Sequence, residues 1–323
     1  MTLSAGNRRR LLMFIACAGA LVYLVVALKA DPETLRRAVG ELGWFGCSLV
    51  LALSLANYLL RFARWQYYIH RFGYHLPAAR HLLVYLSGFA LTVSPGKGGE
   101  AVRSLYMRDH GVPYSESIAA LFVERLLDFL AIVLLSGLVI SEANAFTPIL
   151  LAALVGLLAL LTMLGRAFLP KWMESFSARH TGRMARGLSS LANLLRCSHQ
   201  LLQPRQVLVG LVLALLAWGA EGVGFYLLLQ GLHLGVGIGT ATGVYAISAL
   251  AGAAAFFMPG GIGGMELVMT SLLVKGGAPL ATAVIATLLC RLATLWFAVL
   301  IGIVATFIVD AWRPVTPPEP SST

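Results

Sequence analysis

Long apolar runs separated by short polar breaks occupy nearly the whole chain. The runs at 11–28, 44–64, 117–140, 147–165, 206–230 and 281–309 reach the roughly 17–25 residues with which an α-helix crosses about 30 Å of hydrocarbon. Backbone in hydrocarbon has to satisfy its own N–H and C=O groups, so each run predicts a spanning helix. Two further apolar stretches, about 81–110 and 240–275, are broken near their middles by Pro95-Gly-Lys-Gly-Gly-Glu100 and Pro259-Gly-Gly-Ile-Gly-Gly-Met-Glu266. Proline lacks an N–H and the glycines let the backbone turn, so each stretch predicts two half-helices joined by a break.

These two stretches are copies of one pattern. An offset of 166 superimposes Glu100 on Glu266, Val102 on Val268, Gly111 on Gly277, Pro113 on Pro279 and Arg125 on Arg291. Just upstream, an offset of 164 superimposes Gly88, Pro95 and Gly96 on Gly252, Pro259 and Gly260. The first offset also lays run 44–64 over run 206–230. Duplicated broken segments carrying charge inside apolar sequence point to the binding site of a transporter.

Arginine and lysine placement decides how the broken stretches lie. If 81–110 were a full span, Lys97, Arg103 and Arg108 would fall outside, and every later loop would invert. If both stretches dip in and return on one side, only Lys29, Arg36, Arg37 and Lys275 fall outside, with Arg125 and Arg291 inside the membrane. The tendency of Lys and Arg to stay cytoplasmic favours re-entry. The expected fold is therefore an all-α integral membrane protein with six full spans and two re-entrant broken-helix hairpins. These form an inverted-topology repeat of about 1–140 and 147–309 within a single membrane domain, 1–323. Both termini are expected in the cytoplasm, and the membrane is expected to be a bacterial inner membrane.

Composition agrees. With 59% hydrophobic and 12% charged residues and a mean hydropathy of +0.82, an ordinary soluble domain is excluded. The net charge of +10 comes from clusters such as Arg8-Arg9-Arg10 and the arginines between 166 and 205, at run ends and in connectors. Arg61, Arg64, Arg71 and Arg80 read as span-end charges of the same kind. No basic run is interleaved with aromatics that would stack on bases, so a nucleic-acid partner is not expected. The connector 166–205 carries Met184, Leu188, Leu191 and Leu195 on one helical stripe. That pattern fits a helix on the anionic inner leaflet or a solvated linker helix, and leaves both open. Pro314 to Thr323 predicts a disordered tail. The N-terminal run is too long for a signal-peptide core and is expected to be a retained anchor. Cys17, Cys47, Cys197 and Cys290 show no metal or disulfide spacing, and neither a metal nor another cofactor is expected.

The candidate chemistry lies at the breaks. Helices beginning near Glu100 and Glu266 would point free N–H groups into the protein, a ready site for phosphate or carboxylate, strengthened in the first copy by Lys97. The bland alternative is a pair of kinks needed only for packing. Against it stands the duplication, each break being followed by a Glu and an intramembrane Arg. The substrate-binding candidates are Gly96, Lys97, Gly98, Gly99, Glu100 and Arg125 in the first copy. In the second they are Gly260, Gly261, Gly263, Gly264, Glu266 and Arg291. Arg125 is expected to pair with Glu100, and Arg291 with Glu266. Each pair could be a static brace, or its Arg could fork onto a phosphate that competes with the Glu, and the residues allow both. Asp128 and Glu221 are candidate ion-coupling groups. Trp44, Trp65, Tyr67, Tyr68 and Trp312 read as interfacial anchors, and most of the histidines as surface residues. No Gly-Lys-Ser/Thr follows the glycines at nucleotide-loop spacing.

Ser94-Pro-Gly-Lys-Gly-Gly-Glu-Ala-Val-Arg103, Glu124-Arg125-Leu-Leu-Asp128 and Pro259 to Glu266 together resemble a flippase-like membrane family. It is named for the transmembrane region of lysylphosphatidylglycerol synthase, and the resemblance covers about residues 10–310. It implies movement of a phosphate-bearing lipid, phospholipid or isoprenoid-linked, between leaflets. Bifunctional members add a soluble domain that makes the aminoacylated lipid. This chain ends at Thr323 without one, so aminoacyl transfer is not expected and no enzymatic activity is assigned. The expected partners are a membrane lipid as substrate and anionic inner-leaflet lipids; a homo-oligomer is allowed but not specified. Two rival functions stay open at this level: an intramembrane enzyme or subunit acting on a lipid-linked sugar, and a small-anion carrier.

Overall fold

The computed structural model describes residues 32–93, 99–139, 147–166, 182–255 and 258–312, with Ala18, Gly19, Leu21, Tyr23, Val25, Phe168, Met173 and Ser175. Most of run 11–28, the break residues Gly96 to Gly98 and the tail 314–323 lie outside the described residues. Among those described, all regular structure is helical.

The chain runs through α1 (Pro32–Arg71), α2 (Ala78–Ser87, continued by a 3-10 turn Gly88–Leu91), α3 (Gly99–Arg108), α4 (Tyr114–Ser136), α5 (Thr147–Leu164) and α6 (Gly182–Leu201). It continues with α7 (Pro204–Gly231), α8 (Ile238–Ala254), α9 (Gly264–Lys275), α10 (Leu280–Arg291), a π-helical segment Leu292–Trp296 and α11 (Phe297–Ala311). Proline opens helices where an N–H would be orphaned anyway, as with Pro204 in the first turn of α7. The turn closing α3 and the one closing α9 are alike. Gly111 (φ 82) and Gly277 (φ 96) take the left-handed conformation, and Val112 and Ala278 donate back to the carbonyls of Met107 and Leu273.

Among the described residues, four helical stretches are long and apolar enough to cross a membrane: α1, α5, α7 and the continuous Leu280–Ala311. Run 117–140 becomes α4, whose 23 residues carry Glu124, Arg125 and Asp128 in the middle. At 1.5 Å per residue α4 is about 35 Å long, which is itself enough to cross. The broken stretches become α2–α3 and α8–α9. Their limbs have 10, 10, 17 and 12 residues, each shorter than the about 20 a span needs.

The packing is reciprocal. α1 lies along α7, α2 packs on α11, and α8 packs on α4 and on its own partner limb α9. Each broken stretch is thus held by the long helix that follows the other one. Apolar side chains fill two main cores: one around Tyr58, Trp65, Tyr85 and Leu127, the other around Phe225, Tyr245, Met269 and Ala286. Leu208, Val212 and Leu216 on α7 and Leu300, Val304 and Phe307 on α11 face outward, as lipid-facing stripes would. α5 is peripheral, with only Leu150 and Leu164 buried.

The contact of α11 with the first broken stretch has no room for a side chain. A Cβ on Gly302 would lie 2.2 Å from Ala90 N, a backbone atom that cannot swing aside. Gly302→Val should therefore lose about 1–3 kcal/mol by overpacking. Gly156→Val, on α5 where nothing lies within 4 Å, should lose nothing. Thermal unfolding of the two purified variants compares them.

Several sequence expectations are corrected here. α1 continues as helix to Arg71, about two turns beyond its apolar run, so Arg61 and Arg64 are buried rather than at a span end. Trp65 and Tyr68 are fully buried and are not interfacial anchors, whereas Trp44 is 93% exposed. His81 is also fully buried, accepting the indole N–H of Trp65 at 2.9 Å. The C-terminal half of the connector helix α6 docks on α4 through Ala192, Cys197 and Leu201.

Candidate functional site

Among the described residues, charges inside the bundle fall into three connected groups. The first is centred on α4. Asp128 lies 2.7 Å from Arg64, 3.3 Å from Arg125 and 3.8 Å from Arg61. Glu124 accepts from Arg103 at 3.1 Å and lies 3.5 Å from Arg64. The Arg103 guanidinium is clamped between the rings of Trp65 and Tyr85, at 4.4 and 4.6 Å. An Arg within an apolar region is tolerated only with such partners. Here they tie α1, α3 and α4 together, so the group holds the second limb of the first broken stretch in place. The sequence reading named Arg125 and Asp128 but missed Arg64 and Arg103. Arg125 pairs with Asp128; the pairing expected with Glu100 lies outside the described side chains, as do Gly96, Lys97 and Gly98. Gly99 and Glu100 open α3.

The second group braces the other break. Arg291 donates from Nε to Glu266 Oε1 at 2.7 Å and from Nη2 to the Gly260 carbonyl at 2.8 Å. Glu266 Oε2 accepts the Gly263 N–H at 2.7 Å, capping α9, and Oε1 also receives the Tyr23 hydroxyl at 3.2 Å. The expected Arg291–Glu266 pair is therefore present, and the helix end expected to be open is covered by its own Glu. The glycines divide by role. Gly260, Gly261 and Gly263 all have positive φ, which only glycine adopts freely. Cβ atoms on Gly261 and Gly264 would strike Gly252 and Ala255 of the first limb, whereas a Cβ on Gly260 would approach Val93 and Leu295. The tip of the second break therefore meets the end of the first limb of the other stretch.

The third group lines a cavity of about 90 Å³ between the two stretches. Tyr58 and Arg61 come from α1, Trp218 and Glu221 from α7, Tyr245 from α8, and Arg291 from α10. Among the described residues, Gly260 is the one predicted glycine on its wall. Glu221 accepts the Tyr245 hydroxyl, and the Arg61 guanidinium lies over the rings of Phe89 and Trp218, at 5.6 and 5.8 Å. Tyr58 donates to the Thr294 carbonyl at 2.7 Å, inside the π-helical segment that follows Arg291. π-segments recur at functional sites. The cavity lies deep: Glu221 is about 26 Å along the roughly 42 Å of α7.

Of these residues the sequence reading had Glu221, Gly260 and Arg291, and lacked Arg61, Tyr58, Trp218 and Tyr245. An offset of 160 in the upstream helices superimposes Tyr58 on Trp218, Arg61 on Glu221 and Tyr85 on Tyr245. That signal was available in the sequence. It was obscured because two of the three pairs differ, one in ring type and one in charge. Among the described residues no three His, Cys, Asp or Glu side chains converge as metal ligands.

The sequence profile described as lysylphosphatidylglycerol synthase TM region matches residues 13–302. No curated protein matches the chain.

Proposed function

The chain belongs to the lysylphosphatidylglycerol synthase transmembrane-region family, a membrane family linked to lipid handling, and from that premise we propose that it is a lipid translocase. A phosphate-bearing head group passes through the central cavity while its chains stay in the bilayer. α2–α3 and α8–α9 act as re-entrant hairpins of an inverted repeat, in a bacterial inner membrane with both termini cytoplasmic. Inverted repeats give two related, opposite-facing states, as alternating access requires.

The observation that carries the proposal is the cavity itself, a charged chamber at mid-helix depth lined by both halves of the chain. Hydrocarbon does not tolerate such charge without a use or a partner. The limbs too short to span and their reciprocal packing on α11 and α4 support the hairpin reading. Arg61 and Arg291 supply the anion contacts, Glu221 the counter-charge, and the α4 network keeps the first hairpin rigid. The basic connector holds anionic inner-leaflet lipids.

Mass spectrometry of lipids retained through purification tests this, comparing wild type with an Arg61→Ala/Arg291→Ala double variant. One phosphate-bearing lipid class enriched in wild type and lost in the variant is expected. Equal, unselective lipid in both, with the variant still folded, would contradict it.

A further inference from the structure

Within the translocase reading, on which this inference rests, we propose that the cavity selects the protonatable phosphate of a long-chain phosphate monoester over any phosphodiester, whether the chain is diacyl or isoprenoid. Two independent features of the cavity lead there.

The first is size. A volume of about 90 Å³ is several times the roughly 10–15 Å³ of accessible space that one water needs. It accepts one tetrahedral phosphate.

The second is charge. Arg61 and Glu221 occupy equivalent positions of the two halves, at the offset of 160, and both line the cavity. Two cations there, added to Arg291, would suit any phosphate. The chain instead supplies one cation and one carboxylate. A diester phosphate is an anion with no proton to give, so the Glu221 carboxylate repels it. A monoester loses its second proton near pH 6, so its monoanion still carries a P–OH. That hydroxyl donates to the Glu221 carboxylate while the remaining oxygens accept from Arg61 and Arg291, each bond being charge-assisted. Trp218 adds a neutral donor. It lines the cavity, and its buried Nε1–H has no acceptor among the described residues. A site built around a ligand's hydrogen bond rejects strongly the analogue that lacks it.

The test is competitive binding to the purified full chain in detergent. The probes are dioleoyl phosphatidate, its chain-matched methyl diester phosphatidylmethanol, a polyprenyl monophosphate and inorganic phosphate. Phosphatidate or the polyprenyl monophosphate should bind at least about tenfold more tightly than phosphatidylmethanol. In Glu221→Gln, whose amide N–H can donate to a diester, that ratio should fall towards one. Phosphatidylmethanol binding wild type as tightly as either monoester would overturn the inference while leaving the translocase reading standing; this comparison needs no variant to fold. If none of the lipids binds, or inorganic phosphate displaces them at equal concentration, the translocase reading fails together with the inference.

Discussion

Asp128→Asn should destabilise the protein by about 3–5 kcal/mol, the scale on which breaking a buried ion pair leaves uncompensated charge. Asp128 is 3% exposed and stands among Arg64, Arg125 and Arg61 at 2.7, 3.3 and 3.8 Å. Removing its charge leaves Glu124 as the one carboxylate facing Arg64, and Glu124 already accepts from Arg103. The amide that replaces it also turns N–H groups towards guanidinium donors. The effect should appear as a lower midpoint of thermal unfolding in detergent, with α3 most affected because Arg103 anchors it to the same group. Asp128→Glu, which keeps the charge, should recover part of the loss. An unchanged midpoint in Asp128→Asn would mean that the α4 network does not hold the bundle together.

Arg291→Ala is expected to have the second large effect, on both stability and transport. The arginine joins Glu266, the Gly260 carbonyl and the cavity wall, so its loss frees the break between α8 and α9 and, on the proposed reading, removes an anion contact. Stability should fall by about 3–5 kcal/mol as Glu266 loses its buried partner. Arg291→Lys keeps the charge but cannot reproduce the planar fork onto both Glu266 and Gly260, so it should be intermediate. The double variant Arg291→Met/Glu266→Gln separates brace from binding site. With both charges removed it should recover most of the stability, while transport stays lost because the cavity has lost a cation. Recovery of transport along with stability would assign Arg291 to bracing alone.

The sequence carried much of the fold because hydrocarbon imposes a simple rule. Runs such as 206–230 and 281–309 could only be helices, and both are. The second Pro-Gly break falls between α8 and α9, where the pattern put it, while the first lies outside the described residues. The Glu266–Arg291 pair was legible because both residues recur in each copy, at a spacing of 25 residues. Arg61 and Arg64 were misread for a reason of geometry. Apolar content fades after residue 64 while the helix runs on to Arg71, and a count of apolar residues cannot see carboxylates arriving from α4, some 60 residues later. Trp65 and Tyr68 were misread in the same way, because an amphipathic ring is as stable inside a core, where Trp65 lies against the Arg103 guanidinium, as at an interface. The cavity itself depends on helices from both halves of the chain meeting, and no local pattern encodes that meeting. Its partial trace in sequence is the pairing of Arg61 with Glu221, which similarity alone would discard.

The central claim, that lipid crosses through the cavity, is tested most directly by leaflet translocation in reconstituted vesicles. Vesicles holding the purified chain and a labelled long-chain phosphate lipid would be assayed for the label's appearance in the opposite leaflet. Wild type should accelerate the exchange well above protein-free vesicles, and a folded Arg61→Ala/Arg291→Ala variant should return it to the protein-free rate. Wild type no faster than empty vesicles, or a folded variant as fast as wild type, would contradict passage through this cavity.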